Sequence, residues 1–181
     1  MKFPAVAMLN EFKPTIWFLG KFITFYIVGS IVYGLYITYY EPEADPVTHL
    51  VTVQSSWLLN LAGWDTLALN FSGEPTTYIQ WKGRGIVSVY EGCNSLNVMI
   101  IFLSFMFSFG PYSKKLLWYS ALSLGIIYMV NLMRIIFLFF VVLYIPDYTY
   151  YLHKYFFTAF IYLSVLALWI WWVRINEKQR A

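Results

Sequence analysis

The sequence predicts an all-α integral membrane protein with about four transmembrane helices and a small external segment that holds an amphipathic helix and a β-hairpin. Three observations carry this. Of 181 residues, 60% are hydrophobic and 12% charged, about half the charged share of an average soluble domain. A soluble fold of this size has no interior able to hide so much apolar surface. Apolar runs long enough to cross a bilayer recur along the chain, and the charges sort themselves onto the two sides those runs define.

In chain order, residues 1–15 carry Lys2, Pro4, Lys13 and Pro14 and read as a cytoplasmic lead. They lack an apolar core and a small-residue cleavage site, so the first span is expected to act as an uncleaved anchor. Residues 16–40 form that span. Lys21 can snorkel near its start, and Tyr36, Tyr39 and Tyr40 make an aromatic belt at its far end. Residues 41–91 form the external segment. Its first part, with Glu41, Pro42, Glu43, Asp45 and Pro46, reads as a solvated turn. Residues 47–64 then place apolar side chains near helical spacing, interrupted by Thr48, His49, Gln54, Ser55 and Asn60. That is too polar for a span and reads as an amphipathic helix on the outer membrane surface. The β-prone runs 77–81 and 86–90 flank Lys82-Gly83-Arg84-Gly85, which has the chemistry of a hairpin turn.

Residues 92–173 make a membrane core of three spans. The first of these, 94–109, is short. A tight loop from Gly110 to Lys115 leads into 116–145, which is longer than one crossing needs. It either tilts and protrudes or kinks near Asn131, and is expected to leave the membrane around Arg134. Pro146 and Asp147 start a short external loop. Residues 156–173 are the last span, with Trp169, Trp171 and Trp172 as its inner belt, and 174–181 are a basic cytoplasmic tail.

Charge bias supports this order. Lys2, Lys13, Lys21, Lys114, Lys115, Arg174, Lys178 and Arg180 fall on one side. Glu41, Glu43, Asp45, Asp65, Glu74, Glu91 and Asp147 fall on the other. The positive-inside rule then puts both termini in the cytoplasm and residues 41–91 outside the inner membrane. Net charge is only +3, which excludes nucleic acid as an expected partner. The single cysteine excludes an internal disulfide and a paired-thiol redox motif. No internal repeat points to a transporter.

That cysteine, Cys93, stands in Glu91-Gly92-Cys93-Asn94-Ser95-Leu96-Asn97, at the mouth of the second span. The expected topology delivers Arg134 and His153 to the same depth from two other segments. Taken singly, each has an ordinary reading: a packing thiol, a snorkelling guanidinium, an interfacial imidazole. Arg134 resists its ordinary reading most, because an Arg within a span costs roughly 2.5–3.5 kcal/mol on insertion scales. Together they make chemical sense. A thiolate is a nucleophile, and a helix N-terminus and a nearby cation are expected to lower its pKa. An imidazole can move the proton, and a guanidinium can hold an oxyanion. Asn131 shares a helix face with Arg134, Asn97 lies one turn below Cys93, and Glu91 is expected to serve the helix N-terminus. Cys93 and His153 supply too few ligands for a closed metal site, and no cofactor is expected.

The run from Glu91 to Leu96, then Asn131-Leu132-Met133-Arg134, then His153 ahead of a last span, resembles the exosortase/archaeosortase family, most closely its compact exosortase F branch. The resemblance covers residues 91 to about 172. It implies that Cys93, Arg134 and His153 are a catalytic triad. It further implies a sortase-like transpeptidase acting on membrane-tethered proteins with a C-terminal apolar span and basic tail. The chain departs from the larger members in its smaller number of spans and in the Asn-Ser after its cysteine. The rival reading is a non-catalytic membrane scaffold, an assembly partner of a protein-export system.

Overall fold

The computed structural model describes the backbone of residues 4–109 and 112–177 and side chains at 12–109 and 112–175. Gly110, Pro111, Lys178 and Arg180, to which the sequence assigned a loop and part of a basic tail, lie outside the described residues. The chain runs through α1 (Pro4–Tyr40), α2 (Pro46–Leu61), three strands, α3 (Leu96–Phe109), α4 (Lys114–Tyr144), the short α5 (Thr149–Tyr151) and α6 (Phe157–Glu177). The strands are β1 (Thr66–Asn70), β2 (Thr76–Trp81) and β3 (Arg84–Tyr90), antiparallel in the order β1-β2-β3. The protein is therefore a mostly helical membrane protein with a small sheet.

Three helical stretches are long and apolar enough to cross a membrane: Phe12–Tyr40, Lys114–Tyr144 and Pro146–Ile175. The fourth, α3, has 14 residues and so spans about 21 Å, short of a hydrocarbon core of about 30 Å. It is screened by protein instead of lipid on much of its surface, because it packs against α1, α4 and α6. Its contact with α1 is close: a Cβ on Gly29 would lie 2.6 Å from Cγ2 of Ile100. Glycine at that position is what lets the two helices approach.

Two apolar clusters divide the molecule. Phe102, Met106, Leu116, Ile127, Val165 and Leu168 fill the space between α3, α4 and α6. A second cluster includes Val51, Ile79, Val87, Val89, Leu132 and Phe139, and ties the sheet and α2 to the upper turns of α4. α4 thus runs unbroken past both Asn131 and Arg134 for 31 residues. Of the two expected courses, the structure shows no break at Asn131. Burial of Ile135, Leu138 and Phe139 against the sheet and α2 holds the extra turns straight.

Two details differ from the sequence expectation, and a third adds to it. The first helix starts at Pro4, so the lead is continuous with the span. The hairpin has a third strand, β1, and its turn is the tighter pair Lys82-Gly83, with φ of 49° and 77°, the backbone of a type I′ turn. And α2 buries its small hydroxyl side chains. Thr48, Thr52, Ser55 and Ser56 face inward with Val51 and Leu59, while Leu50, Val53, Trp57 and Leu61 face out. Hydroxyls tolerate that burial where they find partners: Thr52 pairs with Thr77, and Ser56 with Thr66 at 2.9 Å.

Phe139 is fully buried and meets Trp64 and Phe140 edge-on, with ring centres 5.4 and 5.6 Å away. Phe139→Ala is expected to cost about 3–5 kcal/mol, read as a lowered unfolding temperature in detergent with membrane insertion unchanged.

Candidate active site

The turn that carries Cys93 is held from three helices. β3 ends at Tyr90, and one tight turn, Glu91–Cys93, leads toward α3. Val87 and Val89 bury into the upper cluster, and Cys93, 4% exposed, belongs to it. From α1, Tyr33 donates its hydroxyl to the Glu91 carbonyl at 2.9 Å. From α4, Asn131, itself fully buried, donates Nδ2 to the Cys93 carbonyl at 2.8 Å. From the start of α2 comes a buried polar knot around Asp45. Its carboxylate caps the helix by accepting the N–H groups of Val47 and Thr48 at 3.0 and 3.1 Å. It also accepts the hydroxyls of Tyr36, at 3.0 Å, and Thr48.

Asn94 joins that knot to the cysteine turn. Its Nδ2 donates to Thr48 Oγ1 at 3.2 Å and lies 3.4 Å from Asp45 Oδ2, while its Oδ1 accepts the Leu96 N–H at 3.0 Å. Ser95 follows at φ +66°, a left-handed backbone that costs a non-glycine residue of order 1 kcal/mol. The surrounding bonds hold it there, and the turn delivers Cys93 and Leu96 in fixed directions.

At this turn the three side chains singled out from sequence meet. Cys93 Sγ lies 3.7 Å from His153 Nε2 and 4.0 Å from Arg134 Nη2, and the last two are 3.4 Å apart. A guanidinium has no acceptor, so a neutral His153 with its proton on Nδ1 offers its Nε2 lone pair to both neighbours. In that tautomer Nε2 is a base facing a thiol. His153 lies in a π-helical turn, Leu152–Phe156, a widened turn between α5 and α6 of the kind that often re-aims side chains at functional sites.

Burial pushes the Cys93 thiol above its ordinary pKa; the Arg134 charge pulls it down by less, and Tyr90 helps it do so. The sequence expectation of a lowered thiol pKa is therefore corrected. Desolvation of the thiolate outweighs the cation beside it, so the resting cysteine is a protonated thiol beside a base.

Beside the cluster lies a cleft of about 560 Å³. Its walls include Tyr33 of α1, Asn97 of α3, and Thr158 and Tyr162 of α6, with Arg134 and His153 at one end. Of the residues weighed in the sequence, Asn131 grips the turn and Asn97 lines the cleft. Glu91 is engaged through its carbonyl. Its carboxylate charge raises the thiol pKa. Asp45, expected in a solvated turn, is 3% exposed. The Asp-Pro step ahead of an apolar-periodic run is a cap signal that could have flagged it. Tyr33 and Asn94 carried no local signal of their own.

A model of the transmembrane exosortase family matches residues 13–172. The chain belongs to this family. No curated protein and no solved structure matched it. The exosortase match begins well ahead of the motifs from Glu91 onward. It takes in α1 and α2, the helices that supply Tyr33, Tyr36, Asp45 and Thr48 to the cysteine turn.

Two measurements check this site. Iodoacetamide should alkylate Cys93 slowly at neutral pH and faster as pH rises, by roughly tenfold per unit until the thiol ionises. Arg134→Gln removes the cation and should slow the reaction at every pH below that point. Asn94→Ala leaves Asp45 and Thr48 short of a donor inside the protein and should cost about 1–3 kcal/mol in thermal unfolding.

Proposed function

We propose that the protein is a membrane-embedded cysteine transpeptidase or peptidase. On this reading it cuts the C-terminal sorting tail of exported, membrane-tethered proteins through a thioester and passes or releases them at the outer face. The observation that carries the reading is the meeting of the chain's single cysteine with an imidazole nitrogen at 3.7 Å and a guanidinium at 4.0 Å, beside an open cleft. Family membership supports it.

Cys93 is the nucleophile, His153 the general acid and base, and Arg134 the anion stabiliser. His153 Nε2 takes the thiol proton, and the sulfur electron pair attacks the substrate carbonyl carbon. A C–S bond forms and the carbonyl π pair moves to oxygen, where Arg134 can reach it. The C–N bond then breaks and the leaving amine takes the proton from the imidazolium. An acceptor amine, a hydroxyl or water then gives a proton to His153 and attacks the thioester, the C–S bond breaks, and the departing sulfur takes that proton back from the imidazolium. A resting thiol suits this sequence, because the proton that His153 collects is the one the leaving group needs.

The substrate fits the place. A protein anchored by a C-terminal apolar span presents its last external residues at the membrane surface. The cleft runs from Arg134 and His153 down α6 as far as Tyr162, which leaves room for a segment on its way into the bilayer. With both termini cytoplasmic, as the charge bias indicates, the site faces the periplasmic side.

The test is processing of a co-expressed exported protein with an apolar span and basic tail. Cys93→Ala and Cys93→Ser should lower processing at least about a thousandfold with normal membrane insertion. Arg134→Gln should cost about 10²–10³, and His153→Ala should leave the substrate unprocessed and free of thioester, a loss of about 10²–10⁴. Unchanged processing in both Cys93 variants would leave the scaffold reading in its place.

A further inference from the structure

We propose that Tyr90 is a fourth working member of this site, its hydroxyl donating a hydrogen bond to the Cys93 sulfur when that sulfur is an anion. The assignment starts from Gly92. A Cβ at that position would lie 2.4 Å from Cε2 of Tyr90, 3.1 Å from its Cζ and 3.2 Å from its Cδ2. The phenol ring is therefore folded back over the residue next to the cysteine, in space that only glycine leaves open. Its hydroxyl-bearing edge faces the turn, and Tyr90 lines the same cleft as Arg134 and His153.

From over Gly92, one residue from Cys93, the Tyr90 hydroxyl acts on the thiol. It favours the ionised sulfur, and in return the sulfur charge, first, and burial, second, push the Tyr90 pKa up. Tyr90 thus keeps its proton through the working pH range and remains a donor. This gives the strand-end tyrosine and the glycine a joint role: residue 92 is small so that residue 90 can lie over it.

The role in turnover rests on the cysteine-peptidase reading; the contact with the thiol does not. In the first step the thiol proton goes to His153, and the Tyr90 O–H hydrogen-bonds the sulfur electron pair left behind. The phenol proton stays on its own oxygen. In the last step, when the acceptor attacks the thioester and the C–S bond breaks, the same hydrogen bond receives the departing thiolate. Arg134 balances the charge from one side and Tyr90 supplies a neutral, directional donor from another.

The test uses the full chain in nanodiscs. Because Cys93 is the sole cysteine, the mass of the iodoacetamide adduct reports one sulfur. The quantity read is the midpoint of the alkylation rate against pH, because altered access changes the plateau but not the midpoint. Tyr90→Phe keeps the ring and removes the donor, and should raise the midpoint by about one unit, a tenfold loss of rate at neutral pH. Gly92→Ala should reproduce that shift by displacing the ring, and should add nothing in the Tyr90→Phe background. A midpoint unchanged by Tyr90→Phe overturns the proposal. If the midpoint shifts but no Cys93-dependent processing is found, the peptidase reading fails and the thiol contact stands. If processing depends on Cys93 but Tyr90→Phe leaves both midpoint and processing unchanged, the reverse holds.

Discussion

A carboxylate buried among neutral donors organises this protein. Asp45 accepts from two backbone N–H groups and from the hydroxyls of Tyr36 and Thr48, and Asn94 reaches it across the chain. Charge out of water demands such company. The demand brings the top of α1, the start of α2 and the entry to α3 to one point. Once those three are joined, the Glu91–Cys93 turn has little freedom left. Asn131 and Tyr33 then hold its carbonyls from α4 and α1.

The cysteine is buried in the apolar cluster that joins the sheet to α4, next to residues that line the cleft, and that placement sets its chemistry. Burial disfavours the thiolate, and the neighbouring cation only partly offsets it. A thiol that must lose its proton to act needs a base at hand, and the His153 nitrogen lies at 3.7 Å. The C-terminal half of α4 does two jobs here. It buries Ile135, Leu138 and Phe139 against the sheet, and it presents Arg134 to the sulfur. The rigidity of the sheet-to-helix packing is thereby passed on to the guanidinium.

The sheet matters for the same reason. β3 carries Val87 and Val89 inward and ends one residue before the turn. A strand with one buried face cannot slip by a residue without turning that face outward, so the position of Tyr90, Gly92 and Cys93 relative to α4 is tied to the packing of two valines. The exposed apolar side of α2, with Leu50, Val53, Trp57 and Leu61, remains free because the small hydroxyl side chains took the inner face.

Composition by itself determined a membrane protein with a small segment too polar to span. The run from Gly92 to Asn97, with Arg134 and His153, was enough to mark the residues that meet. These are local or additive properties: apolar length, positive-inside bias, the cost of a charge within a span. Tertiary structure alone decided the rest. It kept α4 one continuous helix past Asn131, with its last turns packed against a sheet. It set which face of α2 meets the sheet, because Ser and Thr hydroxyls paired with Thr66 and Thr77 across the interface. It drew Asp45 out of solvent, and it raised the thiol pKa where a local view expected it to fall. Each of these depends on which groups lose water when distant segments meet, and no stretch of sequence carries that information alone.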